Sequence, residues 1–231
     1  MKSTLKSKLV FGLAAAALIF SLGTSVDVSA QISPAFRAAV TITNITTDQI
    51  FSPPLVVSHD KRAFVFTLGE PASDELAMLA EDGMFGPLAD LLEGTTGVRD
   101  VMAADGMVFP GESITVEVSI SHQQSLISVV GMLVSTNDAF LGVDGASVEI
   151  SGHRPYRMVT SARAYDAGSE ANTESCEHIP GPPCGSPGVR VTEGSEGFVL
   201  VHSGIHGIAD LEASAKDWNN PVALVTIERA H

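Results

Sequence analysis

Hydrophobic and polar residues alternate along much of this chain with a period of two, the pattern of a half-buried β-strand. The clearest case is residues 113–120, S-I-T-V-E-V-S-I, where every second residue is aliphatic. Looser alternation predicts further strands at residues 37–46, 147–151, 156–165 and 221–229. Residues 126–134 and 198–201 are more continuously apolar, which is typical of strands covered on both faces. The pattern predicts a mainly β protein, an antiparallel sandwich or barrel.

Two short segments have a helical pattern instead. Ser73 is a suitable N-cap, Asp74 and Glu75 follow where the helix dipole favours acids, and Gly83 supplies a stop. A second helix is predicted over residues 87–93. Helices inserted between strands in this way are expected to cap an open end of the sandwich.

The first 30 residues differ from the rest. Three lysines precede an apolar run over residues 9–22, and small residues follow at 28–30. This is the pattern of a secretory signal peptide, and the apolar run is too short to be a membrane anchor. We therefore expect a signal peptide at 1–30, a single domain at 31–231 without a transmembrane segment, and a secreted or periplasmic location.

The formal net charge is −14, with 27 acidic residues against 13 Lys and Arg. Such a surface repels phosphate backbones, and no basic stripe is present, so nucleic acid is excluded as a partner.

Cys176 and Cys184 are the two cysteines of the chain. In an exported protein, an even number of cysteines around a proline-rich loop favours a local disulfide. A zinc site built from both thiols and His178 is the alternative, although it lacks a clear fourth ligand.

The acidic segment 164–174, A-Y-D-A-G-S-E-A-N-T-E, is the strongest candidate for chemistry. Asp166 and Glu170 lie four residues apart across Gly168, so both carboxylates can face one hard cation such as Ca²⁺. If the preceding apolar strand, which ends in Asn137–Asp138, finishes at the same end of the fold, Asp138 becomes a third ligand. An ordinary solvated turn is the alternative reading of both segments. Glu174 lies nearer the cysteines, and we expect it to be solvated.

Catalytic signatures are weak. The chain has no G-x-S-x-G elbow, no H-E-x-x-H and no P-loop. His202 and His206 are four residues apart, but on a strand entering a glycine turn their rings need not meet, which favours a structural, hydrogen-bonded His202. His59 beside Asp60 resembles a base and its orienting acid, so a secreted hydrolase stays open as an alternative.

Several segments in this order resemble the spondin domain family, known from the N-terminal region of F-spondin and as a free-standing secreted bacterial protein. They are Ser52-Pro53-Pro54 with His59, the stretch 69–83, Pro110-Gly111, Asn137-Asp138-Ala139-Phe140, Tyr165 to Glu170, and 201–205. The Asp-Ala-Gly-Ser-Glu segment, about twenty-five residues after the other acidic loop, is the most specific of them.

The resemblance implies a C2-like β-sandwich that holds one calcium ion through Asp138, Asp166 and Glu170. The sequence departs from the animal pattern in two ways: Asn137 and Ala139-Phe140 stand where a proline and a tryptophan are common, and Glu170 replaces an aspartate, a change that calcium tolerates. The implied function is a non-catalytic module for adhesion or recognition at the cell surface, in the matrix or in the periplasm. A protein, a glycan or an anionic surface is the expected ligand, and a purely structural envelope protein is a further alternative.

Overall fold

The computed structural model describes residues 36–150, 156–185 and 188–230. This part of the chain contains nine strands and three short helices. The strands are β1 (Phe36–Asn44), β2 (Leu55–His59), β3 (Val98–Ala103), β4 (Ser113–Ile120), β5 (Leu126–Met132), β6 (Ala139–Ser147), β7 (Arg157–Asp166), β8 (Leu200–Val201) and β9 (Ala223–Arg229). The helices are α1 (Asp74–Asp82), α2 (Phe85–Glu93) and α3 (Ala213–Lys216). The predicted signal peptide, residues 1–30, lies outside the described residues.

All strands belong to one antiparallel sheet with the order β3-β2-β5-β6-β7-β9-β1-β4, and β8 is added beside β7. Side chains draw the two edges together: Ser119 N donates to Asp100 Oδ2 at 2.6 Å, and Ser58 Oγ donates to Ser119 O at 2.6 Å. The sheet is thereby nearly closed. The prediction of a mainly β, antiparallel fold is confirmed.

Two hydrophobic clusters stabilise the sheet from its two faces. The inner cluster takes alternate residues of nearly every strand, such as Val40, Val118 and Leu141. The helix-side cluster lies on the opposite face of β2, β5 and β6, where α1 and α2 cover residues such as Phe140. Because β2 contributes to both clusters, all five of its residues are buried. The apolar run Leu55–Val57 at its start is typical of a strand covered on both faces.

The predicted strand at 113–120 matches β4, and those at 37–46, 126–134, 156–165 and 221–229 overlap β1, β5, β7 and β9. The predicted strand at 147–151 is wrong for its described residues, since β6 ends at Ser147 and Val148 follows outside any strand. Gly142 and Gly145 both lie inside β6, although glycines at such spacing are typical of turns. Gly142 is needed there for space, because a Cβ would lie 2.6 Å from the Tyr165 ring.

Both predicted helices are present. Ser73 caps α1, its Oγ accepting from Leu76 N at 3.1 Å, and Gly83 ends the helix with a φ of 69°. Helix α2 begins at Phe85, two residues before the predicted start. The helices lie against the outer face of the sheet, which corrects the expectation that they cap an open end. Within the described residues no helix is both long enough and apolar enough to traverse a bilayer.

Candidate functional site

The candidate site lies where β6 begins and β7 ends. The two strands are antiparallel with Ala139 opposite Asp166, so Asp138, the residue before β6, lies beside the last residue of β7. Asp138 therefore precedes a strand, which corrects the expectation that it ends one. The preceding strand, β5, already ends at Met132. The structure nevertheless brings Asp138 and Asp166 to one end of the sheet. Both are almost fully buried, at 0 % and 1 % exposure.

Backbone amides of the following loop hold Asp138 in place. Its Oδ2 accepts from Ser169 N at 2.8 Å, Glu170 N at 2.9 Å and Ser169 Oγ at 3.1 Å. The loop bends at Gly168, where φ is 65° and a Cβ would overlap the carbonyl of Phe198. Glycine is therefore required at this position. The sequence pattern Asp-Ala-Gly-Ser-Glu thus forms a cradle for the neighbouring aspartate.

A chain of hydrogen bonds holds the second aspartate. Asp166 Oδ1 accepts from Gly168 N at 2.7 Å, and Oδ2 accepts from Asn172 Nδ2 at 2.6 Å. Asn172 Oδ1 is 3.0 Å from His202 Nε2, and His202 Nδ1 accepts from Gly204 N at 3.0 Å. These partners assign the proton of a neutral imidazole to Nε2, which donates to Asn172.

Burial lowers the pKa of His202 to about 4, so the ring is neutral near pH 7. It lies 5.0 Å from the Trp218 ring, centroid to centroid. This agrees with the interpretation of His202 as a structural histidine. The exposed His206 bonds instead to Ser203 Oγ. Asn172 was missed from the sequence, although it belongs to the acidic segment.

Two buried carboxylates at one place are electrostatically unfavourable. Burial, with added repulsion from Asp166, raises the pKa of Asp138 to about 8. Burial likewise raises the pKa of Asp166. Asp138 Oδ1 is buried and has no hydrogen-bond partner among the described residues. One oxygen of the pair is therefore available to a proton or a cation.

Glu170 differs from the two aspartates. Its backbone supports Asp138, but its Oε1 accepts from Val191 N at 3.1 Å. Burial, opposed by this hydrogen bond and reinforced by repulsion from Glu81, raises the pKa of Glu170 to about 7. The Glu81 carboxylate pairs with Arg190 at 2.5 Å. The Glu170 carboxylate thus lies in an environment set by α1 and Arg190.

The expectation that Glu174 is solvated is wrong, because this residue is only 3 % exposed. Its Oε1 accepts from His206 N at 2.6 Å and its Oε2 from Ile208 N at 2.9 Å. Two backbone amides therefore replace water around this carboxylate, and the segment after β8 is tied to the acidic loop.

Cys176 and Cys184 form a disulfide. The thiols are therefore not available for the alternative zinc site, and His178 Nδ1 is 3.0 Å from Thr173 Oγ1. The enclosed loop packs against the segment before β6, where Ser135 Oγ donates to Pro182 O at 2.6 Å.

The suggested pairing of His59 with the Asp60 carboxylate is wrong. His59 Nδ1 faces the Asp60 backbone carbonyl at 2.9 Å, while the Asp60 carboxylate binds Arg62. His59 Nε2 is 2.8 Å from Ser128 Oγ, which is a possible base and nucleophile by distance. Ser128, however, is 0 % exposed and also accepts from Gly145 N. Its hydroxyl therefore has no open path to a substrate in this structure.

The metal ligands predicted from the sequence are Asp138, Asp166 and Glu170. In the described ranges, no three His, Cys, Asp or Glu side chains are grouped so that they could hold a metal ion. What the structure brings together is the pair Asp138 and Asp166. A calcium ion there would need its other oxygens from backbone carbonyls, amide side chains or water, all of which calcium accepts.

The chain matches a known protein family. The family model described as Spondin_N matches residues 43–183. The matched segment is more than half of the 231 residues and includes both aspartates with their loops. No curated protein matches the chain.

Proposed function

The chain belongs to the Spondin_N family, and from this premise we propose that it is an exported, non-catalytic recognition module with one calcium ion at Asp138 and Asp166. Membership in the family supports an extracellular recognition module. The calcium ion, the export and the absence of catalysis are our inferences.

The observation that carries the calcium proposal is the unpartnered Oδ1 of Asp138. A buried acceptor without a donor destabilises a fold, and a buried carboxylate without a counter-charge does so more strongly. Asp166 adds a second negative charge beside it. One divalent cation bound to both carboxylates would compensate both charges and would be coordinated by the unpartnered Oδ1 of Asp138.

Glu170 enters this proposal in a changed role. Because its carboxylate accepts from Val191 N, we assign the carboxylate ligands to Asp138 and Asp166. Glu170 contributes its backbone amide, which fixes Asp138 Oδ2. Bound calcium would join the loop before β6 to the loop after β7, and this joining stabilises the fold by mass action.

The non-catalytic part of the proposal is supported by the burial of Ser128, the nucleophile candidate that the geometry offers. The recognition part is supported by the family and by the charge of −14, which favours cationic partners or ligands bridged by calcium. A protein, a glycan or an anionic surface ligand fits this description.

Calcium binding is tested by isothermal titration of the metal-free protein with Ca²⁺ and separately with Mg²⁺. We expect one calcium site, weaker magnesium binding, and loss of the calcium signal in Asp138→Asn and in Asp166→Asn. Glu170→Gln should retain binding, because glutamine still accepts from Val191 N. Wild-type protein without a calcium signal would refute the site, and loss of binding in Glu170→Gln would return that residue to the ligand set.

Recognition is tested by capture of cell-surface material on immobilised protein, with calcium or with chelator. A captured component that Asp138→Asn fails to retain supports a calcium-bridged ligand. Capture that is equal in both conditions would assign calcium a purely structural role. Turnover of ester or peptide substrates that Ser128→Ala abolishes would contradict the non-catalytic proposal.

A further inference from the structure

A second site lies apart from the aspartate pair, in an open cleft of about 450 Å³. The end of α1 forms one wall, the loop between β3 and β4 another, and the disulfide loop a third. A volume of this size lies in the range of small-molecule sites, which are concave and mostly apolar.

The walls of the cleft are held by close contacts. At the end of α1, a Cβ on Gly83 would lie 3.0 Å from Ser52 Cβ, so the helix end packs directly against Ser52, which also lines the cleft. In the disulfide loop, a Cβ on Gly181 would overlap the carbonyl of Val134. The disulfide itself closes this loop. The cleft is therefore preformed, and a ligand need not order its walls.

The lining is apolar with one charge. Met107 and Phe109 are 52 % and 44 % exposed, which is high for such large apolar side chains, and the buried Met132 also lines the cleft. Methionine adapts its shape to irregular apolar ligands. Among the lining residues that the structure describes, Asp82 alone is charged. Its carboxylate is exposed and makes no hydrogen bond or ion pair with the other described residues.

We propose that this cleft binds a small organic cation, with an apolar body against Met107 and Phe109 and one ammonium group at Asp82. The single carboxylate fixes the orientation of the ligand, and the net charge of −14 attracts cations and repels organic acids. This proposal is independent of the calcium site, because the cleft shares neither aspartate with it.

Methionine methyl resonances report the site directly. The chain has seven methionines, of which Met107 and Met132 line the cleft, whereas Met102 and Met158 lie on β3 and β7 outside it. Protein with isotope-labelled methionine methyl groups is titrated with phenylbutylamine, and in parallel with neutral phenylbutanol and anionic phenylbutyrate. We expect shifts at the two lining residues, with the amine binding most tightly and the acid most weakly.

Matched variants test the role of the charge. Asp82→Asn should weaken amine binding about two- to fivefold, which is the range for one exposed ion pair, and leave the alcohol unchanged. Asp90→Asn removes an equal charge from an exposed position on α2 and should change neither. Phe109→Ala should weaken both the amine and the alcohol.

The outcomes separate clearly. Shifts at Met107 and Met132 together with a selective loss in Asp82→Asn support the proposal. Absence of shifts, equal binding of amine and acid, or an Asp82→Asn variant that binds the amine like wild type would each overturn it. None of these results bears on the calcium titration.

Discussion

Replacement of Asp138 by asparagine should stabilise the metal-free protein and at the same time abolish its stabilisation by calcium. Asparagine keeps an oxygen to accept from Ser169 and Glu170, as Oδ2 does now. Its amide takes the place of Oδ1, the buried atom without a partner. The substitution therefore retains the three hydrogen bonds and removes the carboxyl group whose ionisation the folded state disfavours.

The magnitude follows from the pKa. Burial and the Asp166 charge raise the pKa of Asp138 from 3.8 to about 8. Between pH 3.8 and pH 7 this shift costs the folded state about 4 kcal/mol, at ~1.4 kcal/mol per pH unit. Asparagine also places N–H donors at the buried Oδ1 position, where a donor without an acceptor costs free energy. We therefore expect a net gain of about 1 to 4 kcal/mol at pH 7.

The sign of the pH dependence is fixed by the direction of the shift. A carboxyl with a raised pKa in the folded state keeps its proton there after the unfolded chain has lost it. Its contribution to stability is complete below pH 3.8, falls as the pH rises, and reaches its minimum above about pH 8. The advantage of Asp138→Asn over wild type should therefore grow between pH 4 and pH 8.

The assay is urea denaturation in chelator and in excess calcium, for wild type, Asp138→Asn and the exposed control Asp90→Asn. At calcium concentrations a hundredfold above Kd, wild type should gain about 2.7 kcal/mol and overtake or approach the variant, which should gain nothing. The control should follow wild type throughout. An asparagine variant less stable than wild type in chelator at pH 8 would refute the electrostatic reasoning, and an equal calcium gain in both would refute the site.

Two further predictions concern the scaffold. The Cys176→Ser, Cys184→Ser double variant should unfold with about 2 to 3 kcal/mol less free energy, the loop-entropy value for so short a loop, and a loss below about 1 kcal/mol in urea denaturation would contradict this. Gly142→Ala should lose about 1 to 3 kcal/mol, because its Cβ would lie 2.6 Å from the Tyr165 ring, whereas Gly106→Ala, with open space around it, should change little. Equal midpoints for the two glycine variants would show that the aromatic ring moves aside freely.

Strands with one solvent-exposed face could be predicted from the sequence, whereas strands buried on both faces were harder to predict. Residues 113–120 alternate because β4 has one solvated face, so the pattern alone gives its bounds. In β2, by contrast, Leu55 and Val57 face the helices while Val56 faces the interior of the sheet. No alternation results, and this strand was not predicted. β6 was missed because Gly142, which serves close packing, has the same composition signal as a turn.

Those features of the candidate site that depend on residues close together in the sequence could be predicted. The Asp-Ala-Gly-Ser-Glu segment indicates its own bend, and the proximity of Asp138 and Asp166 follows once two neighbouring strands are taken as antiparallel. Side-chain direction depends on distant residues. The Glu170 carboxylate accepts from Val191 N, and Glu174 from residues more than thirty positions later, so neither orientation is encoded in the segment.

The case for a cation at the aspartate pair rests on how the other buried carboxylates are compensated. Glu81 has the guanidinium of Arg190, and Glu174 has two backbone amides. Asp166 lies 3.9 Å from His202, but that ring is neutral near pH 7 because its pKa is lowered to about 4. The pair thus has hydrogen bonds but no counter-charge from the described residues. An asparagine at position 138 would accept the same hydrogen bonds without placing a second ionisable group in the interior. Two buried aspartates are therefore favourable only when a bound cation compensates their charges.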